Sequence, residues 1–412
     1  RRLRNPHPHP RRRQRRMSAN SEQAVGKQVS TESAEELFDR ARALFASSDL
    51  VNLVSHAAYH CAGLPEGSRT AVNTEVDEND QMFLHSLLEH RDPGAALAQY
   101  YSIGIQQHAL MSQLIKAIKT GEEKLRVLDF ACGHGRALRF AVLNRSDIDL
   151  HASEIQEDAL DFISRRLGVP VMKSAIHPAD FHCEETFDLI WVASLFSHLP
   201  GALFEPWLAK LLSMLSPRGI LCFSTKPMAD AAATTGEGLE YAGTSELTPL
   251  SSEHYGTTHV TRDHVERMVA RLDTRVRTVC LERCLAHEQD LYLSSRSQVI
   301  DLHSLGRSLT RGTWGWLDIK SVDEAGRLML EGWALSLDKN FPLKGVRVWI
   351  DDFEFLIEPD IERGDVVDAI GAGVSRDCGW RYESDRPVSA GSRLAVTAES
   401  GAYTHVVYVG VV

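Results

Sequence analysis

Several things that this chain of 412 residues lacks narrow what it can be. No stretch approaches the ~18 consecutive apolar residues of a membrane-crossing helix, so no membrane span is expected. The seven cysteines are scattered and form no disulfide framework. Buried, reduced thiols and a cytoplasmic location are the expectation. Cys280, Cys284 and His287 have loosely metal-like spacing, but no fourth ligand accompanies them and no metal is expected. Positive charge is concentrated at one end: residues 1–16 hold eight arginines and no acid. Taking those eight charges from the formal net charge of −11 leaves about −19 on the remainder. Such a body repels phosphate backbones, which argues against nucleic acid as a partner. The Arg-, His- and Pro-rich opening has no apolar segment behind it, so it does not read as a secretory signal. It reads either as a nucleic-acid or membrane-surface arm or, as expected here, as an unstructured extension ahead of Met17. Residues 1–30 are taken as a disordered tail.

What is present is enough apolar material for a sizeable core, 43% of the chain, and length for two or three domains. Arg126–Arg136 reads as a buried strand, an acid at its end, a tight glycine turn and a helix start extending to about Val142. Gly133 and Gly135 let the backbone approach a ligand without a Cβ in the way. Ala131 stands where a dinucleotide loop would have its first glycine, and no Lys-Ser or Lys-Thr follows, so a phosphate loop is not indicated. Asp129 at the strand end suits a ligand with a positive amino group. A second strand, Asp149–Ile155, ends in Glu154, about 20 residues past the loop. That is where an acid takes the two vicinal ribose hydroxyls in Rossmann-like sheets.

At these residues the chain resembles the class I S-adenosylmethionine-dependent methyltransferases. The resemblance strengthens at Phe187–Pro200, a fully buried strand running into a small-Leu-x-x-His-Leu turn, and at Leu215–Leu221, a helix stop of the form L-S-P-R-G-x-L. It implies an α/β fold: a Rossmann-like, doubly wound, mostly parallel sheet over residues 121–300. It also implies S-adenosylmethionine as cofactor. The residues implied to hold it are Asp129, Ala131, Cys132, Gly133, Gly135, Glu154, Ile155, Ser194 and Leu195. Residues 31–120 read as helical, an N-terminal region covering the site. Tyr101 and Gly104 there line the cofactor mouth, as the resemblance implies, with core packing of the two tyrosines Tyr100 and Tyr101 the alternative. An acid that many relatives carry after the third strand is missing, since Ser174-Ala175-Ile176 stands there.

Catalysis asks for alignment of an acceptor and, for a hydroxyl, a general base. His198, His254 and Tyr255 are the candidates, with a structural role for His198 kept open beside the catalytic one. The segment Ala229–Thr258 is long enough to be a lid or binding segment. Tyr255–Val260 and Gln289–Ser294 are expected as antiparallel neighbours at the sheet edge.

Residues 301–313 read as a linker. From Trp314 the pattern alternates, with turn signals every several residues, and residues 314–412 read as an all-β sandwich. Its Leu-Glu-Gly-Trp-Ala and Cys-Gly-Trp segments resemble the accessory β-sandwich of bacterial glycosyltransferases and surface-polysaccharide enzymes. Trp333 and Trp380 are expected in its core, and the resemblance implies glycan or protein contact through this domain. The expected activity is methylation of a small molecule or saccharide in polysaccharide or glycoconjugate assembly. The alternatives are a lipid or other metabolite as acceptor, or a degenerate fold that binds cofactor without turnover.

Overall fold

A computed structural model describes residues 32–64, 70–228, 238–244, 251–371 and 373–412. The Arg-rich opening and half of the expected lid segment, residues 229–237 and 245–250, lie outside them. Among the described residues four helices come first: α1 (Ala34–Phe45), α2 (Ser48–Ala62), α3 (Gln81–His90) and α4 (Pro93–Ile118). Each begins at a side-chain cap, from Ser33, Ser47, Asp80 and Asp92, that takes up free N–H groups of the first turn.

Then follows an alternation of strands and helices: β1 (Leu125–Phe130), α5 (Leu138–Ala141), β2 (Ile148–Glu154), α6 (Glu157–Phe162), β3 (Val171–Lys173), β4 (Phe187–Val192), α7 (Gly201–Ser213) and β5 (Leu215–Pro227). After them come β6 (Leu239–Ala242), β7 (Thr257–Val260), α8 (Arg262–Leu272), β8 (Arg277–Leu285) and β9 (Gln289–Ser295). The strands run in the order β3-β2-β1-β4-β5-β9-β8. The first five are parallel and β9 enters antiparallel between β5 and β8. Along β4, Leu189 and Trp191 enter one core while Ile190 and Val192 enter the other. Burial on both faces explains why this strand is a continuous apolar run rather than an alternating one. Strand order reverses between β1 and β4, and the crevice at the carboxyl ends of such strands is where open α/β sheets bind ligands.

Three expectations change here. The partner of β9 is β8, not the strand at Tyr255–Val260. That strand, β7, instead joins β6 and the tip of β5 at Lys226–Pro227. The helix expected over Arg136–Val142 is a single turn, α5, running into a tighter turn at Val142–Asn144. The expected linker contains a helix, α9 (Leu302–Ser308), capped by Asp301, and Leu302, Leu305 and Leu309 are buried in the central core.

The C-terminal region is a sandwich of two four-stranded antiparallel sheets. One is formed by β10 (Thr313–Val322), β11 (Arg327–Ser336), β15 (Asp377–Pro387) and β14 (Ile361–Glu362). The other is formed by β13 (Phe353–Ile357), β12 (Leu343–Ile350), β16 (Arg393–Ser400) and β17 (Thr404–Val411). A short helix, α10 (Gly364–Ile370), precedes β15. Trp380 sits in the sandwich core, whereas Trp333 is half-buried beside a small satellite cluster. The sandwich is docked on the rest of the chain. From β17, Val407 and Tyr408 face the sandwich core, while Val406, Val409 and the preceding Tyr403 complete the core of the N-terminal helices. Gln106 on α4 ties the junction: its amide donates to the carbonyls of Cys284 and Arg311 and accepts from the Ala286 N–H.

Candidate functional site

The carboxyl ends of β1, β2 and β4 open into a cleft of about 1220 Å³, part of it continuous with solvent. Two backbone features set its floor. Ala131, directly after β1, has φ 58°, and Ser194, after β4, has φ 64°. Left-handed backbone costs an L-residue roughly 1–2 kcal/mol, and such conformations persist where the surroundings enforce them. Ser194 is held by a small network: its N–H donates to Ser224 Oγ at 2.8 Å, and the Gln289 amide donates to its Oγ at 2.9 Å.

The two glycines of the loop do different work. Gly133 has φ +56°, and a Cβ built on it meets nothing within 4 Å, because it would project into open space. At Gly135, φ +76°, a Cβ would stand 2.7 Å from Leu167 Cδ1. Gly133 lines the cleft. Gly135, expected to line it, does not; it lets the loop close onto Ile163 and Leu167 behind α6.

Glu154 is 5% exposed and oriented by backbone donors. Its Oε2 accepts from Gly133 N at 2.8 Å; its Oε1 accepts from Ile155 N at 2.7 Å and Gln156 N at 3.2 Å. A carboxylate offers about four lone-pair positions, so Oε2 keeps one by count for a hydroxyl donor. Asp129 is 3% exposed. Burial first, and the Glu154 carboxylate second, push its carboxyl up to about 8, against the pull of Arg136. Burial, together with the charges of Asp129 and Glu154, holds the Cys132 thiol well above its usual range, which disfavours the thiolate.

Ala131, Cys132, Ile155, Ser194, Leu195, His198, His254 and Tyr255 all line the same cleft, with Asp129, Gly133 and Glu154. Tyr101 and Gly104 do not. Tyr101 is fully buried, its hydroxyl donating to the Thr74 carbonyl and its ring edge-on to Tyr100 and Phe140. Gly104 lets α4 approach the loop so closely that a Cβ there would meet the Arg136 carbonyl at 2.5 Å. Tyr101 is core packing, the alternative for the tyrosines, and Gly104, expected at the cofactor mouth, instead serves close helix–loop packing.

Other lining residues came from no sequence signal: Asp80, Gln107, His134, Arg136 and Trp207. Asp80 is recognisable from sequence only as the cap of α3. Its carboxylate accepts from Met82 N, Phe83 N and, at 2.5 Å, the Tyr100 hydroxyl.

The charged lining residues, Asp80, Asp129, Arg136 and Glu154, come from the β1 and β2 loops and α3. The other side, built by the segments after β3 and β4, by α7 and by the approach to β7, supplies Ile176, His198, Leu199, Leu203, Trp207, His254 and Tyr255. Among the described residues, no Asp, Glu, Lys or Arg lines that side. His198 stacks on Tyr255 with ring centroids 4.5 Å apart and planes 8° from parallel. Its Nδ1 is 2.6 Å from the Gly256 carbonyl oxygen. A carbonyl only accepts, so Nδ1 carries a proton there.

Residues 128–221 match a family model described as a methyltransferase domain. Among curated proteins none matches this chain. Solved structures similar to it include the glycopeptide N-methyltransferase MtfA with S-adenosyl-L-homocysteine. That pair is 16% identical, covers 45% of this chain and 86% of the other, and has a TM-score of 0.33. Another is CalS10 with S-adenosylmethionine bound, an amino pentose methyltransferase from Micromonospora echinaspora, at 17% identity, 46% and 90% coverage and a TM-score of 0.35. A third is an S-adenosylmethionine-dependent methyltransferase from Clostridium acetobutylicum ATCC 824, at 12%, 46% and 90%, with a TM-score of 0.34. The α/β assignment rests on the strand order itself. The family match, from Leu128 in β1 to Leu221 in β5, makes the segment that builds the cleft similar to a methyltransferase domain.

Proposed function

We propose that this chain is an S-adenosylmethionine-dependent methyltransferase whose acceptor is an uncharged small molecule or saccharide. The observation that carries the reading is the disposition of Asp129, Gly133 and Glu154 around one cleft. An amide-oriented carboxylate fits a ribose diol, an open glycine fits close approach of a ligand, and a buried acid fits a cation. When bound, the cofactor supplies a methyl group already activated on a sulfonium, so the chain has to align the acceptor, exclude water and accept a proton.

The uncharged side of the cleft suits the acceptor. Asp129, Gly133 and Glu154 would hold the cofactor, whose sulfonium would supply the methyl group and keep the electron pair of the bond it gives up. For the acceptor's proton the candidate base is His198, whose ring orientation is set by the Nδ1–H donated to Gly256. The stacked Tyr255 holds the imidazole plane. The sandwich, by its resemblance to polysaccharide-enzyme accessory domains, is proposed to hold the acceptor's remainder or a protein partner.

Calorimetric titration with S-adenosylmethionine tests the core of this. Micromolar binding is expected, lost in both Gly133→Val and Glu154→Ala. No binding by the parent chain would refute the reading. His198→Ala is expected to keep cofactor affinity and lose methyl transfer in an acceptor screen beginning with nucleotide sugars.

A further inference from the structure

The two sheets of the sandwich end on neighbouring edges. β13 is the outermost strand of one and β14 the outermost of the other, and only residues 358–360 separate them in the chain. Along β13, Phe355 and Phe353 stand opposite Val348 and Ile350 of β12, both buried in the sandwich core. Residues directly opposite share a face of the sheet, so the two phenylalanines face inward. Phe355 reaches Tyr382 of β15, with ring centroids 4.9 Å apart. Yet Phe353 is 70% exposed, and Leu356 on the other face is 60% exposed. Ile361 of β14 is exposed beside them. An inward-facing phenylalanine left in water means that the strands of this domain do not finish covering their own core. An edge strand also leaves every second N–H and C=O unpaired, a template for one more strand.

The charge at this edge decides what that strand is. Residues 351–362 hold six acids and no Lys, Arg or His. Arg347 takes Glu354, Arg376 takes Glu362, and Arg393 takes Asp351 and Asp352. Glu358 and Asp360 are exposed and enter no ion pair among the described residues. A second copy docked edge to edge would bring these acids against their own counterparts, and like charges across a strand pair are destabilising. A strand carrying Lys or Arg is complementary instead. We propose that the β13 edge docks an extended basic segment of a partner protein, which adds a strand to this sheet. Its backbone pairs with β13, its alternate apolar side chains continue the inward face beside Phe353, and its basic ones meet Glu358 and Asp360. No residue of this edge lines the cleft. The proposal narrows the sandwich's part to one class of partner and stands apart from the cofactor reading.

The test uses the full chain and a short blocked peptide of alternating lysine and valine, with a glutamate–valine peptide as control. Fluorescence anisotropy reads binding, and hydrogen exchange reads its place. The lysine peptide is expected to bind, more weakly as salt rises, and to slow exchange of the β13 amides. The glutamate peptide should do neither. Glu358→Lys combined with Asp360→Lys should weaken the lysine peptide about tenfold, the scale of two exposed ion pairs. Phe353→Ser should weaken it as well. All three side chains are exposed, so an unchanged melting temperature and unchanged S-adenosylmethionine affinity are expected of both variants. Binding of neither peptide, equal binding of both, or protection away from β13 overturns the proposal. Self-association of the parent chain that Phe353→Ser abolishes would assign the edge to a second copy and overturn it too.

Discussion

The cleft and the sandwich both gather charged side chains, and they treat them in opposite ways. On the outer face of β12 and β16, Arg347 bridges Glu399 at 3.0 Å and also pairs with Glu354, while Thr397 donates to Glu399. Arg363 joins Asp318 and Asp365 at 2.7 and 2.8 Å. Each of these two arginines is held between two carboxylates. In the cleft, Asp129 and Arg136 lie in one cavity without pairing. Saturated charge is what a scaffold needs, since each ion finds its partner within the fold. Burial keeps the Asp129 carboxyl protonated up to about 8, so it ionises where something supplies a positive partner, and such a perturbed acid in a cleft marks a candidate ligand position.

The strongest way to break this contrast is to ask whether the scaffold matters to the site at all. Tyr403 belongs to the sandwich in sequence but is 3% exposed in the core of the N-terminal helices. Tyr403→Ala should cost about 3–5 kcal/mol, as for large aromatic truncations in cores. If the halves fold together, thermal unfolding stays a single transition at lower temperature and cofactor binding falls with it. Two separated transitions, with binding preserved in the second, would show the sandwich to be a loosely attached appendage.

The next test uses the titration of Asp129. Its carboxyl is raised to about 8 in the folded chain from an ordinary value of 3.8. Between those values the folded chain holds a proton that the unfolded chain has released. This group's contribution to stability therefore falls as pH rises through that window and levels off above about 8. A cationic ligand favours the ionised form, so affinity for S-adenosylmethionine should rise with pH, up to about tenfold per unit, and flatten above about 8. Calorimetry on both sides of that value checks the slope, and Asp129→Asn should abolish it. In the sandwich, Glu399 is held below its usual range despite burial, by Arg347, so its ionisation is complete at neutral pH and gives no such slope.

Much of this was legible in the sequence, and the gaps have physical causes. β4 reads clearly because both its faces are buried, and Asp129 and Glu154 read clearly because strand ends fix where their side chains emerge. Gly133 and Gly135 look alike in sequence. Only the space around each separates the one facing a ligand from the one facing Leu167. β8 was missed because Glu282 and Arg283 interrupt its apolar pattern at the sheet edge. α9 was hidden by Gly306 and Arg307 in what looked like a linker, although Asp301 is a helix-cap signal. Asp80 and Gln107 reach the cleft from segments that precede β1, a long-range arrangement that no local pattern encodes.

The smallest effect separates the two strained residues on the cleft floor. Ala131 makes no side-chain hydrogen bond, so Ala131→Gly should relieve left-handed strain. Set against the added freedom of the unfolded chain, the net gain should be about 0.5–1 kcal/mol. Ser194 has nearly the same φ, but its hydroxyl is tied to Gln289 and its N–H to Ser224. Ser194→Gly gains the same relief, keeps the N–H to Ser224 and loses the hydroxyl's bonds to Gln289, each worth about 1 kcal/mol, so it should be neutral or destabilising. Differential scanning calorimetry on the two variants reads the difference directly. A higher melting temperature for both would mean that the Ser194–Gln289–Ser224 network contributes little. A lower one for both would mean that Ala131 is held by contacts that its methyl group makes in the cleft wall.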